Sequence, residues 1–312
     1  MIATRDAYGK ALAELGKNNP KVVVLDADLA GSTKTINFKK LFPERFFNMG
    51  IAEQNLMGTA AGLASSGKVT FASTFAIFAV GRAFEQIRNS IAYPKMNVKI
   101  AATHAGLTVG EDGASHQAIE DIALMRSIPE MVVIVPADGV ETEQAVKAAA
   151  DYHGPVYLRL GRARVPVIYD NNYQFKIGRA HLLREGKDVG LIATGLMVAV
   201  ALEAAELLQR EGIAAAVLNV STIKPLDQEA ILDLARKTGA LVTAEEHTVL
   251  GGLGSAVAET VGESFPVPVM RVGVEDVFGE SGSPKELLEA YGLTKENLVQ
   301  KAKEALWLKA QS

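Results

Sequence analysis

The chain contains no cysteine, which excludes disulfide bonds and thiolate metal sites. Its 32 basic and 36 acidic residues give a formal charge of −4, so no basic field is available to attract nucleic acid. No apolar run reaches the roughly 18–20 residues that a membrane-spanning helix needs. The opening stretch MIATRDAYGKALAELG resembles an amphipathic helix and lacks the apolar core of a signal peptide. These absences predict a cytoplasmic protein with no nucleic-acid or membrane partner.

The rest of the composition is typical of a globular protein. The 312 residues are 48% hydrophobic and 22% charged, an ordinary balance for soluble domains. Because one domain commonly holds about 100–200 residues, this length favours two domains.

Apolar runs typical of strands alternate with stretches typical of helices along the chain. In the first half, strands are predicted at 22–25, 46–48, 69–72, 98–102, 131–135 and 156–160, and helices at 53–64, 80–91 and 140–150. In the second half, strands are predicted at 189–194, 214–220, 240–244 and 267–272, and helices at 197–211, 228–237 and 295–306. This alternation predicts an α/β fold with two doubly wound domains, each a mostly parallel sheet flanked by helices.

A polar, irregular stretch separates the two halves. It covers about 164–186 and contains Pro166 and the run Asp170-Asn171-Asn172, which are typical of a loop. We therefore predict a first domain at 1–165, a linker at 166–185 and a second domain at 186–312.

The segment 103–117, THAGLTVGEDGASHQ, concentrates polar and flexible residues between a predicted strand and a predicted helix. Ligand sites of α/β proteins usually lie at this end of a parallel strand. Glycines allow sharp turns close to a ligand, and histidines exchange protons near neutral pH. By composition alone, a solvated loop without a function is an equally good interpretation.

Two further segments hold candidate binding residues. Glu53 starts a predicted helix, where a carboxylate is favoured by the helix dipole without any further role. Phe75 and Phe78 lie three residues apart at a predicted helix start, which is usual for core residues. Such a pair can also stack on a flat heterocycle.

The second domain contains a glycine-rich run, Gly251-Gly252-Leu253-Gly254, with Val257 where a dinucleotide fingerprint has its third glycine. We interpret it as a tight turn into a helix and expect no nucleotide there. The preceding segment 245–247, Glu-Glu-His, is predicted to be structural.

Five motifs occur in one order over the first domain: GIAEQN, STFxxF, THxGLxxGEDGxxHQ, RxIPxM and VxxPADxxE. This order resembles the pyrimidine-binding domain of transketolases. The second domain, with STIKPLD and AEEHTVLGGLGS, looks like the transketolase-type C-terminal domain. The resemblance covers essentially the whole chain and implies a thiamine diphosphate enzyme that transfers a two-carbon ketol unit from a ketose phosphate to an aldose phosphate.

The resemblance also implies roles for individual residues. Glu53 matches the catalytic glutamate that hydrogen-bonds a pyrimidine nitrogen of the cofactor, and Phe78, Phe75 and Asp28 match its neighbours in the cofactor site. The residues that bind the substrate in this family are matched in this sequence by Arg5, Ser32, His104, Asp112, His116 and Arg162. Among these, the two histidines would also move protons during carbon–carbon cleavage, and Asp112 would recognise a donor hydroxyl.

The motif that holds the cofactor's diphosphate in this family, GDG followed by an asparagine pair, is missing. The run Ala137-Asp138-Gly139 with Asn171-Asn172 is similar but has the wrong first residue and spacing. We therefore expect no metal ligand in this chain. Mg²⁺ (or Ca²⁺) would be held by a separate N-terminal transketolase subunit, and two copies of each chain would form an α2β2 assembly in which this chain also pairs with itself.

Three alternatives remain open at this point. The beta subunit of a 2-oxo-acid dehydrogenase's decarboxylating component has a similar length and a similar GIAEQ helix, but the GEDGxxHQ segment argues against it. Deoxyxylulose-phosphate synthase shares GIAEQ and STF but is a longer single chain. A non-catalytic α/β binding protein is opposed by the joint presence of Glu53, His104, Asp112 and His116.

Overall fold

A computed structural model describes residues 1–170 and 172–311 of the chain. Asn171, which falls in the predicted linker and in the diphosphate look-alike, lies outside the described residues, as does Ser312. Within the described part, no helix is long and apolar enough to cross a membrane.

The strands are β1 Ile2–Ala3, β2 Val22–Asp26, β3 Phe46–Asn48, β4 Val69–Phe75, β5 Val98–Thr103, β6 Val132–Ile134, β7 Val156–Arg159, β8 Arg164–Val165, β9 His181–Arg184, β10 Val189–Ala193, β11 Ala215–Asn219, β12 Thr222–Lys224, β13 Leu241–Thr248 and β14 Val269–Val274. The helices are α1 Thr4–Asn18, α2 Ala30–Thr33, α3 Ile36–Leu41, α4 Glu53–Ser65, α5 Phe84–Gln86, α6 Asp121–Ser127, α7 Gly139–Asp151, α8 Met197–Arg210, α9 Gln228–Thr238, α10 Leu253–Ser264, α11 Pro284–Ala290 and α12 Lys295–Lys309. Helix α5 lies between two π-helical segments, Phe78–Arg82 and Ile87–Ala92.

The first sheet has the strand order β12-β6-β7-β5-β4-β2-β3. All of its pairs are parallel except β12 with β6. Helices α1 and α7 cover one face through Tyr8, Leu12 and Val146, and α4 covers the other through Leu56 and Met57. The continuous apolar strands are thus buried on both faces, as a parallel sheet requires.

The second sheet has the order β14-β13-β10-β11-β9, and only β9 runs antiparallel to its neighbour. Helices α8 and α12 pack on one face through Val198 and Leu298, and α9 and α10 pack on the other through Leu234 and Val257. The predicted α/β fold with two mostly parallel, helix-flanked sheets is confirmed.

Two of the differences from the sequence-based boundaries concern strands at sheet edges. The predicted linker contains β9, which adds an antiparallel edge to the second sheet. Strand β12, which the apolar pattern did not reveal, leaves the second half of the chain and pairs with β6 of the first sheet. Both strands lie at sheet edges and have polar or charged residues at their two ends, so neither shows the continuous apolar run that marks a central strand. The domain limits at 165 and 186 stay a prediction.

The strands of the first sheet place several polar side chains at one edge. β4 and β5 are aligned so that Phe75 pairs with Thr103, which puts His104 directly beyond this edge. The loop after β2 brings Asp28 to the same side, next to Asn48 at the end of β3. This is the carboxyl edge of the parallel strands, where open α/β sheets bind ligands.

Candidate active site

Glu53 begins helix α4 and is buried, with 2% of its surface exposed. Its Oε1 accepts a hydrogen bond of 2.8 Å from Nη1 of Arg82, whose side chain is half exposed. The second oxygen, Oε2, is buried, and none of the described residues donates a hydrogen bond to it. A buried carboxylate oxygen without a partner lowers the stability of the fold. Oε2 can therefore gain a hydrogen bond from a donor outside the described residues, such as a ligand.

Four predicted site residues form one aromatic cluster. The rings of Phe75 and His104 are stacked with centroids 3.8 Å apart, and Phe78 lies parallel to Phe75 at 5.8 Å. His116 meets the ring of Phe78 edge-on at 5.4 Å. Phe75 is the last residue of β4 and Phe78 the first of the π-helical turn, so both side chains reach the same edge of the sheet.

His104 is held in an uncommon conformation and in one tautomer. Its backbone φ is +58°, a left-handed value that costs energy for a residue with a Cβ and is frequent at functional sites. Arg5 Nη1 lies 2.9 Å from Nε2, and an arginine can only donate, so Nε2 is the acceptor. Nδ1 therefore carries the proton and donates to Oγ1 of Thr103 at 2.8 Å. Burial, and then the charge of Arg5, lowers the pKa of His104 to about 3, which keeps the ring neutral.

The predicted phosphate-binding residues come from distant parts of the chain. Strand β1 pairs with β8, and this pairing brings the start of α1 to the loop after β7. Arg5 donates to the carbonyl of Ser32 at 3.2 Å, and its buried Nε has no hydrogen-bond acceptor among residues 1–170 and 172–311. Burial, with the nearby charge of Arg162 as a smaller cause, lowers the pKa of Arg5. Arg162 donates to Oε2 of Glu111 at 3.1 Å. A partly buried pair of guanidinium groups is suited to an anion.

Two of the predicted site residues, Asp28 and Asp112, are exposed to solvent. Asp28 is exposed, has a φ of +64°, and accepts a hydrogen bond of 2.7 Å from Asn48. Asp112 is exposed in the turn between Gly110 and Gly113, both of which have positive φ. The structure therefore brings the aromatic, histidine and arginine side chains together and leaves Asp112 facing solvent. The roles of all these residues stay predictions.

The segment that carries His104 is fixed from the second sheet. Glu246, near the end of β13, accepts a hydrogen bond of 2.6 Å from the backbone nitrogen of Thr108 through Oε1. A Cβ on Gly106 would lie 2.3 Å from the Glu246 carboxyl carbon, so only glycine fits there. Burial raises the pKa of Glu246 to about 7, although the nearby charge of Arg159 opposes this shift.

The neighbours of Glu246 also have structural partners. Glu245 accepts hydrogen bonds from the backbone nitrogens of Leu253 and Gly254, at the start of α10. His247 accepts from the nitrogen of Ala123 through Nε2. The glycine-rich run is a turn with a positive φ at Gly251 that leads into α10, as its sequence indicated.

In the run Ala137-Asp138-Gly139, which resembles a diphosphate motif, the aspartate is hydrogen-bonded to the backbone of the chain itself. The Asp138 carboxylate is buried, caps α7 through the nitrogen of Glu141, and accepts from the nitrogens of Ile168 and Tyr169. These bonds use the oxygens that a metal site would need. Over residues 1–170 and 172–311, no cluster of three or more His, Cys, Asp or Glu side chains is placed to hold a metal ion.

Arg82, whose guanidinium donates to Glu53, was not identified from the sequence. Its guanidinium carbon also lies 4.9 Å from the ring centroid of Phe78. A signal for it existed, because an arginine four residues after an aromatic residue can lie over that ring on a helix. The π-helical turn between the two residues could not be read from spacing.

The open carboxylate oxygen of Glu53 and the two phenylalanine rings are compatible with the pyrimidine half of thiamine diphosphate. Oε2 of Glu53 can accept a hydrogen bond from a ring nitrogen, and the aromatic pair Phe75 and Phe78 can contact a flat ring.

Comparisons with known protein families match both halves of the chain. The transketolase pyrimidine-binding domain matches residues 1–167, and the transketolase C-terminal domain matches residues 178–298. Because both halves match transketolase, the 2-oxo-acid dehydrogenase subunit and the non-catalytic binding protein are not favoured.

Individual relatives agree with this match. A protein of Methanocaldococcus jannaschii described as a candidate transketolase C-terminal section is 52% identical over 97% of this chain and 96% of its own length. Rat transketolase is 44% identical over 97% of this chain but over only 49% of its own length. A solved structure described as a split-gene transketolase, inactive β4 tetramer, is 63% identical, covers 99% of this chain and 100% of that chain, and has a TM-score of 0.94. The chain therefore belongs to the transketolase family, whose members depend on thiamine diphosphate, as a C-terminal subunit of the split form.

Proposed function

We propose that this chain supplies the pyrimidine-activating half of a transketolase active site and that a separate subunit supplies the diphosphate-binding half. The complete enzyme would transfer a two-carbon ketol unit from a ketose phosphate to an aldose phosphate, in the cytoplasm, where such sugars are found. The observation that carries the proposal is the buried Oε2 of Glu53, which has no partner among the described residues; Glu53 is linked to the aromatic cluster through Arg82, which lies over Phe78.

Glu53 would bind the pyrimidine ring of the cofactor through Oε2, while Phe78 would stack on this ring and Phe75 would lie next to Phe78 in the cofactor site. Asp28 would lie close to the cofactor from the exposed end of β2. Thiamine diphosphate, when bound, supplies a carbon nucleophile that the twenty side chains lack. The chain's contribution is to orient the ring and to hold a proton at the Glu53 carboxylate.

The substrate would bind next to the histidines and the arginines. His104 would take up a proton at Nε2, the nitrogen that now accepts from Arg5, and His116 would lie on the other side of the aromatic cluster. Arg5, Ser32 and Arg162 would hold the phosphate, and the buried Nε of Arg5 is a donor still without a partner. The exposed Asp112 would recognise a hydroxyl of the donor sugar.

The partner subunit would bind the cofactor's diphosphate and its Mg²⁺ or Ca²⁺. Two facts support this division. Single-chain rat transketolase is about twice as long as the region that matches this chain. The run Ala137-Asp138-Gly139, which resembles a diphosphate motif, uses its Asp138 carboxylate to accept hydrogen bonds from backbone nitrogens.

Calorimetry tests the proposal directly. Thiamine diphosphate with Mg²⁺ is titrated into the isolated chain and then into an equimolar mixture with the N-terminal subunit that copurifies from the native source. We expect weak or no binding in the first titration and tight binding with sugar-phosphate turnover in the second. Tight binding and full turnover by the isolated chain would show that no second subunit is needed, and neither in the mixture would reject the proposed function.

A further inference from the structure

Arg82 contacts two residues of the proposed pyrimidine site. Its Nη1 donates to Oε1 of Glu53 at 2.8 Å, and its guanidinium lies over the ring of Phe78 at 4.9 Å. Its backbone carbonyl accepts a hydrogen bond of 3.3 Å from Gln54, the residue after Glu53. Side chain and backbone of Arg82 are thus both attached to the start of α4.

The local helix geometry explains this placement. The segment Phe78–Arg82 is π-helical, so its turn is wider than that of an α-helix. Isolated π-helical turns are rare and occur frequently at functional sites. Here the turn directs a charged side chain from the end of the segment toward the carboxylate at the start of α4.

The charges of the pair are unequally exposed. Glu53 is 2% exposed and the Arg82 side chain is 51% exposed, so the arginine remains hydrated while the carboxylate does not. A buried carboxylate without a counter-charge tends to take up a proton or to turn toward water. Arg82 engages one oxygen only, and Oε2 is left as the free one.

We propose that Arg82 is a positioning residue of the cofactor site: it fixes Oε1 of Glu53 so that Oε2 alone is presented to a pyrimidine nitrogen donor. The inference rests on the proposed function. The stacking of its planar guanidinium on Phe78 keeps Arg82 itself in place, and a lysine ammonium would lack both this plane and the fork of donors.

The proposal is tested by calorimetry on the complete complex of both subunits with two ligands. One ligand is thiamine diphosphate, and the other is its analogue in which the pyrimidine N1′ is replaced by carbon. Arg82→Gln should weaken thiamine diphosphate binding by about tenfold or more, since a charge-assisted hydrogen bond loses its fixed geometry. Binding of the analogue should change much less, because the analogue has no nitrogen for Glu53.

Arg88→Gln is the matched control. Arg88 lies in the second π-helical turn, is exposed, and donates to its neighbour Asn89, so this variant should bind both ligands like the unmodified complex. Arg82→Lys retains the charge and should show a smaller loss, again for thiamine diphosphate only. Sedimentation of each variant complex verifies that it assembles. If the Arg82→Gln complex does not assemble, the inference is tested by comparing the binding of the two ligands to the Arg82→Lys complex.

Two results would overturn the inference. Equal weakening of both ligands would mean that Arg82 only shapes the pocket, and unchanged binding of both would mean that Glu53 needs no positioning. A different result, in which the unmodified complex binds neither ligand, would reject the proposed function.

Discussion

Glu53 and His104 are both hydrogen-bonded to an arginine, but one is a carboxylate and the other a neutral ring. Glu53 is paired with Arg82 through one oxygen, whereas the Nε2 of His104 accepts from Arg5. The neutral His104 ring can take up a proton at Nε2 only after Arg5 moves away. We expect an anion to free His104 Nε2 only if it draws Arg5 Nη1 away from the ring, since binding at Arg5 Nε alone would leave this contact in place.

Arg5→Gln should raise the pKa of His104, because the second of its causes, the charge of Arg5, is removed. The value should stay below the ordinary 6.5, since burial is the larger cause and remains. NMR titration of labelled histidine in the isolated chain measures this shift, with Lys10→Gln as an exposed control of equal charge change on the same helix. An unchanged His104 titration would show that Arg5 does not act on the ring in solution.

Glu53→Gln should leave the fold intact, because the two side chains are nearly isosteric and the exchange is at a helix start. Activity of the complex with the partner subunit should fall by orders of magnitude, because an amide cannot share the proton. Circular dichroism tests the fold and a coupled sugar-phosphate assay tests the rate. Turnover near the unmodified rate would make Glu53 a structural residue.

Asp112→Ala should weaken the choice among donors that differ in hydroxyl stereochemistry. Loss of a charge-assisted hydrogen bond in the closed complex should cost roughly 1.5–3 kcal/mol for the preferred donor. The measurement is the ratio of kcat/KM for two epimeric donors, with Glu280→Ala as an exposed acidic control near the same turn. If that ratio does not change, Asp112 does not recognise the hydroxyl.

At the scale of the elements, strand β13 connects the second sheet to the segment that carries His104. Glu246 near its end holds the nitrogen of Thr108, which is 138 residues away in the sequence. Arg159 of β7 donates to the carbonyl of Glu246 at 2.9 Å and forms a buried ion pair with Asp121. The second sheet thereby stabilises a loop of the first, which gives this half of the chain a structural part in the site.

Glu246 also makes the stability of the fold depend on pH. Its folded pKa, about 7, is above the ordinary 4.5, so between these values the folded chain keeps a proton that the unfolded chain releases. Stability from this group is therefore lost as pH rises from about 4.5 to about 7. Glu246→Gln should remove this loss. The melting temperature of the variant should therefore increase relative to that of the unmodified chain as the pH rises.

The melting temperature is measured from pH 5 to 8 in both chains. Glu263→Gln, at an exposed position of α10, is the control and should follow the unmodified chain at every pH. A constant difference between the Glu246→Gln variant and the unmodified chain across this range would show that Glu246 does not titrate there.

At the scale of the whole molecule, assembly is the property to test. We expect the isolated chain to pair with itself around a two-fold axis, the commonest closed symmetry. The 63% identical split-gene relative is described as an inactive β4 tetramer, so self-association without activity occurs among its relatives. Addition of the N-terminal subunit should give a complex with two copies of each chain. Analytical ultracentrifugation measures both states, and a monomer that forms a one-to-one complex would contradict the prediction.

Much of the fold could be predicted because its signals are local. Central strands such as Val22–Asp26 and Val98–Thr103 are continuous apolar runs, and their helices follow in order. The strands β9 (HLLR) and β12 (TIK) could not be predicted in this way, because polar or charged residues at both of their ends leave no continuous apolar run. The candidate site residues were predicted from motifs, whose order is also a property of the sequence.

By itself, the sequence determined the α/β class, the helix that begins at Glu53 and the segment that contains His104, since these depend on neighbouring residues. Only the tertiary structure decided which distant groups meet there. Arg5 reaches His104 through the pairing of β1 with β8, and Arg82 reaches Glu53 from a π-helical turn. Such contacts arise from crossover connections between strands, which leave no periodic pattern in the sequence, and they fix which atoms of the site are free.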